Sequence, residues 1–166
     1  MNIEIRPAEH ADLETMLAIY NDAILTTTAV YDYQPRTADV QRQWFETKQA
    51  QRLPIFVAVD NATIIGFGSF GPFRSWPAYQ YTVENSLYVD SAHRRKGAGT
   101  ALLASLLGAA RTAGYHVMVA GIDATNEASL ALHRRAGFEP VAHFREVGWK
   151  FERWLDLVFM EKFLGG

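Results

Sequence analysis

The densest run of potential chemistry in this chain is Ser91-Ala92-His93-Arg94-Arg95-Lys96-Gly97-Ala98-Gly99-Thr100, between an apolar β-type segment and an apolar helical one. Gly97 and Gly99 let the backbone approach a ligand closely, and the helix that follows offers unpaired N–H groups at its start. Arg94, Arg95 and Lys96 bring positive charge to the same mouth, so a phosphate or pyrophosphate is the guest this chemistry suits. Neither familiar nucleotide motif describes the loop. The Walker pattern needs Gly-Lys-Ser/Thr, whereas Lys96 precedes Gly97, and the dinucleotide pattern needs a third small residue where Leu102 stands.

Upstream lies Glu84, a carboxylate in mid-strand. Strand alternation sets it on one face with Thr82, Ser86 and Tyr88, and sets Tyr81, Val83, Leu87 and Val89 on the other. The residues alone read this as a solvated strand face. Downstream, Asn126 stands where a helix begins and His133 lies seven residues on. An imidazole donates a proton readily near neutral pH, although a helix histidine serves equally as a structural residue, and Asn126 is accounted for by simple capping. Arg74, Ser75 and Trp76 occupy a Gly-Pro-Phe-Arg-Ser-Trp-Pro loop in a stretch dense with Phe70, Phe73, Tyr79 and Tyr81. A guanidinium holds a carboxylate by a two-pronged hydrogen bond and aromatic walls suit a compact side chain; an exposed Arg beside an aromatic core cluster explains the same residues.

Other chemistries lack candidates. The remaining histidines, His10, His93, His116 and His143, show neither an i, i+4 pair nor the carboxylate pattern of a metal site, so no metal is expected. No Ser lies in a Gly-x-Ser-x-Gly elbow, and with no cysteine there are no thiol nucleophiles, disulfides, iron–sulfur clusters or thiolate zinc sites. Transfer through an acyl-enzyme is therefore not expected.

The elements that must position these residues follow from periodicity. Ile3 and Ile5 alternate in a short strand, and Leu13, Met16, Leu17, Tyr20 and Ile24 mark an amphipathic helix from Asp12 to Ile24. A second helix is expected over Ala38 to Gln51, capped by Thr37. Ile55 to Val59 and Thr63 to Phe70 read as strands joined by a tight hairpin at Asp60-Asn61-Ala62, and Tyr79 to Val89 as the next strand. Leu102, Leu103, Leu106, Leu107 and Ala110 form a helical stripe that stops at Gly114, followed by a buried strand from His116 to Ile122. A helix capped by Asn126 carries Leu130, Leu132 and Ala136 and ends at Gly137; Phe138 returns to extended structure, and Phe151 to Phe163 is a final strand. The sum is an α+β fold, with six or seven strands, four helices and a central β-α-β unit.

Composition bounds the reading. The chain has 166 residues, 49% apolar, enough for one domain spanning 1–166 with a real core. Sixteen Lys and Arg against 18 Asp and Glu give a net charge of -2, which argues against nucleic acid as a partner. The N-terminal Met1-Asn2-Ile3-Glu4-Ile5-Arg6 does not read as a signal peptide, so no export is expected, and the longest apolar run, Ala101 to Ala110, is broken by Ser105 and Gly108 and too short to span a bilayer. A cytoplasmic protein without membrane contact is expected.

Arg94-x-x-Gly97-x-Gly99 after an apolar strand resembles the acyl-CoA pyrophosphate loop of the GNAT acetyltransferase superfamily. Asn126-Glu127-Ala128-Ser129, with Leu132-His133 and Gly137-Phe138, is similar to the second half of the same CoA site. Tyr20-Asn21-Asp22, Phe73-Arg74, Thr82-Val83-Glu84-Asn85-Ser86 with Tyr88-Val89, Leu132-His133, Gly148-Trp149-Lys150 and Trp154-Leu155-Asp156 narrow the likeness to the phosphinothricin and methionine sulfoximine or sulfone N-acetyltransferases.

The resemblance implies a mixed, mostly antiparallel GNAT-like sheet flanked by about four helices. It implies a detoxifying transfer of acetyl from acetyl-CoA, as co-substrate, to the α-amino group of a small amino acid analogue, by direct attack in a ternary complex within a homodimer. Glu84 becomes the base that deprotonates the amine, through water. The backbone of Leu87, Tyr88 and Val89 pairs with pantetheine, and an N–H there polarises the thioester. Arg94, Arg95, Lys96, Gly97, Ala98, Gly99 and Thr100 hold the pyrophosphate, with Asn126 and Ser129 as further CoA contacts. His133 stands where many family members place a tyrosine that protonates the departing thiolate. Arg74, Ser75, Trp76, Asn85 and Ser86 surround the acceptor beside Glu84, and Lys150, with Trp149, completes that pocket from the other subunit. Two alternatives keep the CoA site: a protein N-terminus or another amine as acceptor, and a non-catalytic acyl-CoA sensor.

Overall fold

A computed structural model of the chain describes residues 3–165; Met1 and Asn2, part of the N-terminal segment considered above, and Gly166 lie outside the described residues. Seven strands form one sheet in the order β1-β2-β3-β4-β5-β7-β6. They are β1 (Ile3–Pro7), β2 (Ile55–Asp60), β3 (Thr63–Pro72), β4 (Thr82–Val89), β5 (Val117–Asp123), β6 (Glu139–Lys150) and β7 (Arg153–Phe163). Every neighbouring pair is antiparallel except β4 and β5. Four α-helices complete the fold: α1 (Leu13–Thr26), α2 (Ala38–Ala50), α3 (Ala98–Thr112) and α4 (Glu127–Arg135). This is the mixed α+β architecture expected from the sequence.

Local chemistry explains most boundaries. The Thr37 side chain accepts a hydrogen bond from the Val40 N–H at 3.3 Å and opens α2, and Asn126 accepts from the Ser129 N–H at 3.1 Å and opens α4. Asp60 pairs with Thr63, so Asn61 and Ala62 form a two-residue hairpin loop. Both have positive φ, 47° and 65°, the geometry whose twist matches the flanking strands. The fourth strand departs from expectation: it starts at Thr82 and not at Tyr79, because Pro77–Tyr79 is a 3-10 turn started by a proline that fixes φ and gives no N–H to a ladder. The C-terminal extended region is two long strands, β6 and β7, joined by Phe151 and Glu152.

Helices cover both faces of the sheet. On one face Met16 and Ile19 of α1 and Phe45 of α2 pack on Ile55, Val57 and Phe67. On the other, Leu103, Leu106 and Leu107 of α3 and Leu130 of α4 share a cluster with Val83, Met118 and Met160. Alternation along β4 therefore sends Val83, Asn85 and Leu87 toward α3 and α4, and Glu84, Ser86 and Tyr88 toward α1; Tyr88 meets Tyr20 edge-on at 5.1 Å.

The feature that creates a site is a ladder that stops. β4 and β5 pair only at Thr82–Val117, Val83–Met118 and Glu84–Val119, after which the two strands diverge.

Candidate active site

The divergence opens a cleft of about 1330 Å³. Its walls are residues 84–89 of β4, residues 120–123 of β5, the start of α3 and much of α4; the end of α1, the chain to Tyr31, and Phe151 and Arg153 also contribute.

Asn85 sits at the apex of the split, 8% exposed. Its Nδ2 donates to the Val119 carbonyl at 3.2 Å, taking the place of the next backbone rung, and its Oδ1 lies 3.2 Å from His133 Nε2. His133 is also buried, and its Nδ1 lies 2.9 Å from the Ser129 carbonyl. Both ring nitrogens thus face oxygens, so a neutral ring satisfies one and an imidazolium both. Burial opposes that charge and pulls the His133 pKa below its ordinary value, with the Ser129 carbonyl acting the other way. Asn85, expected beside Glu84 as a substrate contact, lies on the opposite strand face with its amide engaged in holding the split.

Glu84 is half-buried on the α1 side and enters none of the ion pairs among the described residues. Burial raises its pKa, and the positive charge of Arg74 partly offsets this. Its carboxylate reaches along β5 to Gly121, two residues beyond its register partner Val119, and fits because that position has no side chain: a Cβ on Gly121 would come within 3.0 Å of Glu84 Oε1 and 3.3 Å of Phe159 Cε1. Gly121→Ala is therefore expected to displace the carboxylate and lower kcat about 10- to 100-fold, with acetyl-CoA affinity and Tm nearly unchanged. Steady-state kinetics check this, and an unaltered kcat would separate Gly121 from the site.

At the far end of the cleft, Gly97 caps α3 with φ 96°, a left-handed geometry that a residue with a Cβ enters only at a cost. Arg95, at φ 62°, turns the chain just before it. Arg94, Arg95, Gly97, Ala98, Gly99 and Thr100 all line the cleft, while Lys96 does not. Neither arginine belongs to an ion pair among the described residues. Asn126, Ser129, Leu87, Tyr88 and Val89 line the same cleft. Unpaired helix-start N–H groups, two guanidinium groups outside the ion pairs of the described residues and diverging strand edges fit a pyrophosphate followed by a chain with amide groups.

The remaining expected residues divide between the cleft and its surroundings. Arg74, Ser75 and Trp76 stand on an exposed loop outside the cleft wall, Trp76 at 63% exposure and the Arg74 guanidinium 5.1 Å from the Phe73 ring. Arg74 acts on the site through its charge at Glu84. Ser86 lines the cleft beside Glu84. Lys150, expected to reach a pocket across a subunit boundary, is buried in its own chain, where Nζ donates to three backbone carbonyls. Trp149 is exposed and packs edge-on against Trp154 at 4.8 Å.

Several wall residues carry no sequence signal at all. Tyr31 and Asp123 meet across the cleft mouth, the Tyr31 hydroxyl donating to Asp123 Oδ2 at 2.9 Å. They are 92 residues apart, and nothing local predicts the pair.

A half-buried carboxylate at the last rung before a strand split, with a helix start suited to an anion at the far end, is an arrangement that can move an acyl group from a long anionic carrier. The chain belongs to the Acetyltransferase (GNAT) family, whose model matches residues 16–138. It is an acetyl-CoA-dependent N-acetyltransferase. Among its relatives, the L-methionine sulfoximine/L-methionine sulfone acetyltransferase of Pseudomonas aeruginosa is 46% identical over 162 residues, 97% of this chain and 94% of that one. Among solved structures, an N-acetyltransferase from Staphylococcus aureus Mu50 is 52% identical with a TM-score of 0.98, covering 99% of this chain and 100% of that one. A GNAT superfamily phosphinothricin acetyltransferase from Sinorhizobium meliloti, in complex with AcCoA, is 36% identical with a TM-score of 0.97, covering 99% and 90%.

Proposed function

We propose that this enzyme acetylates the α-amino group of a small amino acid analogue, with methionine sulfoximine, methionine sulfone and phosphinothricin as acceptors. The carrying observation is the Glu84 carboxylate, half-buried where β4 and β5 part, on the strand face opposite α3 and α4. The names of the similar proteins support the acceptor class.

An ammonium group has no lone pair with which to attack a thioester. Glu84, ionised, takes its proton directly or through water, and a positioned general base contributes about 10²- to 10⁴-fold. The freed amine adds to the thioester carbonyl carbon, and negative charge gathers on its oxygen. A backbone N–H at the unpaired end of β4, within Leu87 to Val89, stabilises that oxygen; such a donor is worth about 10²- to 10³-fold. Collapse breaks the C–S bond, and the thiolate takes its proton from water or from His133 in its imidazolium form, which burial makes the minority form near neutral pH. Arg94, Arg95 and the start of α3 hold the pyrophosphate, with Asn126 and Ser129 beside the pantetheine. Direct transfer fits the lack of a cysteine or an elbow serine.

Residues 1–166 act as one domain in this proposal, and the protein works in the cytoplasm as a homodimer. Among the described residues no helix is long and apolar enough to cross a membrane. Trp149 and Trp154, paired across β6 and β7, are 46% and 59% exposed and pack edge-on, an aromatic surface suited to a second copy of the chain. Pairing there brings further side chains, with Arg74, Ser75 and Trp76, toward the acceptor.

The test is CoA thiol release by the purified protein, with methionine sulfoximine, methionine sulfone, phosphinothricin, ordinary amino acids and an N-terminal peptide as parallel acceptors. Saturable release with the first three and little with the rest is expected. Release with the peptide alone moves the protein to the protein-acetylating branch, and tight acetyl-CoA binding without release leaves a sensor.

A further inference from the structure

Lys150 is a buried lysine hydrogen-bonded to no carboxylate. It is 4% exposed, and its Nζ donates to the carbonyls of Ile24 at 2.5 Å, Thr27 at 2.9 Å and Val30 at 2.8 Å. An ammonium has three protons, and three carbonyls meet them. The Ile24 carbonyl belongs to the last turn of α1, where carbonyls lack helical partners and the helix carries its negative end. Thr27 and Val30 belong to the segment that leaves the helix.

That segment is fastened at two more points. The Tyr31 hydroxyl donates to Asp123 at the end of β5, and the Tyr33 hydroxyl donates to the Trp149 carbonyl on β6. The Tyr31 ring lies so close over β6 that a Cβ on Gly148 would fall 2.8 Å from its Cε2. Residues 27–33 thus form a strap clasped to the β6–β7 hairpin and to the rim of β5.

The strap forms part of the cleft wall: residues 26–31 line it, as do Phe151 and Arg153 just past Lys150 on the hairpin. It continues from α1, which packs on the sheet face that carries Glu84 and Tyr88. The helices that start at the pyrophosphate loop and at Asn126 pack on the opposite face. A disturbance of the strap therefore reaches the acceptor side of the cleft first.

We infer that Lys150 is a positioning residue for the acceptor site: its ammonium serves as a built-in monovalent cation that gathers three carbonyls, closes the strap, and so sets the wall against which the acceptor amine is presented to Glu84. This rests on the acetyl-transfer reading above.

The experiment compares Lys150→Met and Tyr31→Phe with the unmodified enzyme, measuring KM for the best acceptor and KM for acetyl-CoA. Lys150→Met keeps the length and removes the donors; it is expected to raise the acceptor KM about tenfold or more while the acetyl-CoA KM stays within about twofold. Tyr31→Phe loosens one clasp without touching the buried charge, and should move the acceptor KM in the same direction by less. If Lys150→Met does not fold, Tyr31→Phe decides alone. Acceptor and acetyl-CoA constants that stay put, or that rise together, overturn the inference. Failure of the acceptor reading looks different: the unmodified enzyme then turns over a peptide or another amine, and the same two constants are read for that acceptor.

Discussion

Glu84→Gln is expected to lower kcat about 10²- to 10⁴-fold near neutral pH while acetyl-CoA binding stays within about a factor of two. The amide has the shape of the carboxylate and cannot take a proton, so the loss falls on turnover and not on the carrier site. The pH dependence follows from the same surroundings. Burial raises the Glu84 pKa above its ordinary 4.5, and Arg74 pulls it back. Because the ionised form is the working one, activity rises with pH through that raised pKa, and the acid limb sits above the usual carboxylate range. Removing the Arg74 charge moves the limb further up, since the opposing effect is gone. Turnover against pH, with acetyl-CoA affinity measured separately, checks both statements; undiminished turnover in Glu84→Gln takes this residue out of the mechanism.

Asn85→Leu should be the most damaging single change to stability at the site, about 2–5 kcal/mol, which is roughly 5–15 °C in Tm. The leucine fills a similar volume but leaves the Val119 carbonyl and one ring nitrogen of His133 buried without their partner. The loss appears without any ligand present, which is how it differs from the loss of a substrate contact. Thermal unfolding of the ligand-free variant checks it, and a Tm equal to that of the parent would return Asn85 to the acceptor pocket. His133 adds a pH component. Its folded pKa lies below the ordinary 6.5, so the unfolded chain binds more protons below that value and stability declines as pH falls through 6.5 and under.

Much of the carrier half of the site is legible in the sequence because it is local. Arg94 to Thr100 and Asn126 to His133 are short stretches whose glycines, caps and charges act within a few residues of one another. The acceptor half is assembled from afar. Lys150 finds carbonyls 126, 123 and 120 residues upstream, and no periodicity reports where an ammonium will end. Asn85 is an instructive case, since the alternation that sets Glu84 beside Ser86 already sends residue 85 to the other face. The β6–β7 turn hides for a different reason. Phe151 and Glu152 both adopt positive φ, 51° and 57°, at positions where Asn and Gly normally announce a hairpin, so the sequence reads as one strand beginning where a turn lies. Packing of the long strands overrides local preference there.

Three rungs between β4 and β5, and then no further pairing among the described residues, leave a seam inside the sheet across which the two strands form no backbone ladder. On the proposed binding mode, a carrier arm that supplies its own amides to that seam acts as an eighth strand, present only while it is bound. By linkage, whatever binds the folded chain and not the unfolded one adds to its stability, about 2.7 kcal/mol at a hundredfold excess over Kd. The same opening that admits the acetyl donor therefore ties the durability of the protein to the supply of that donor.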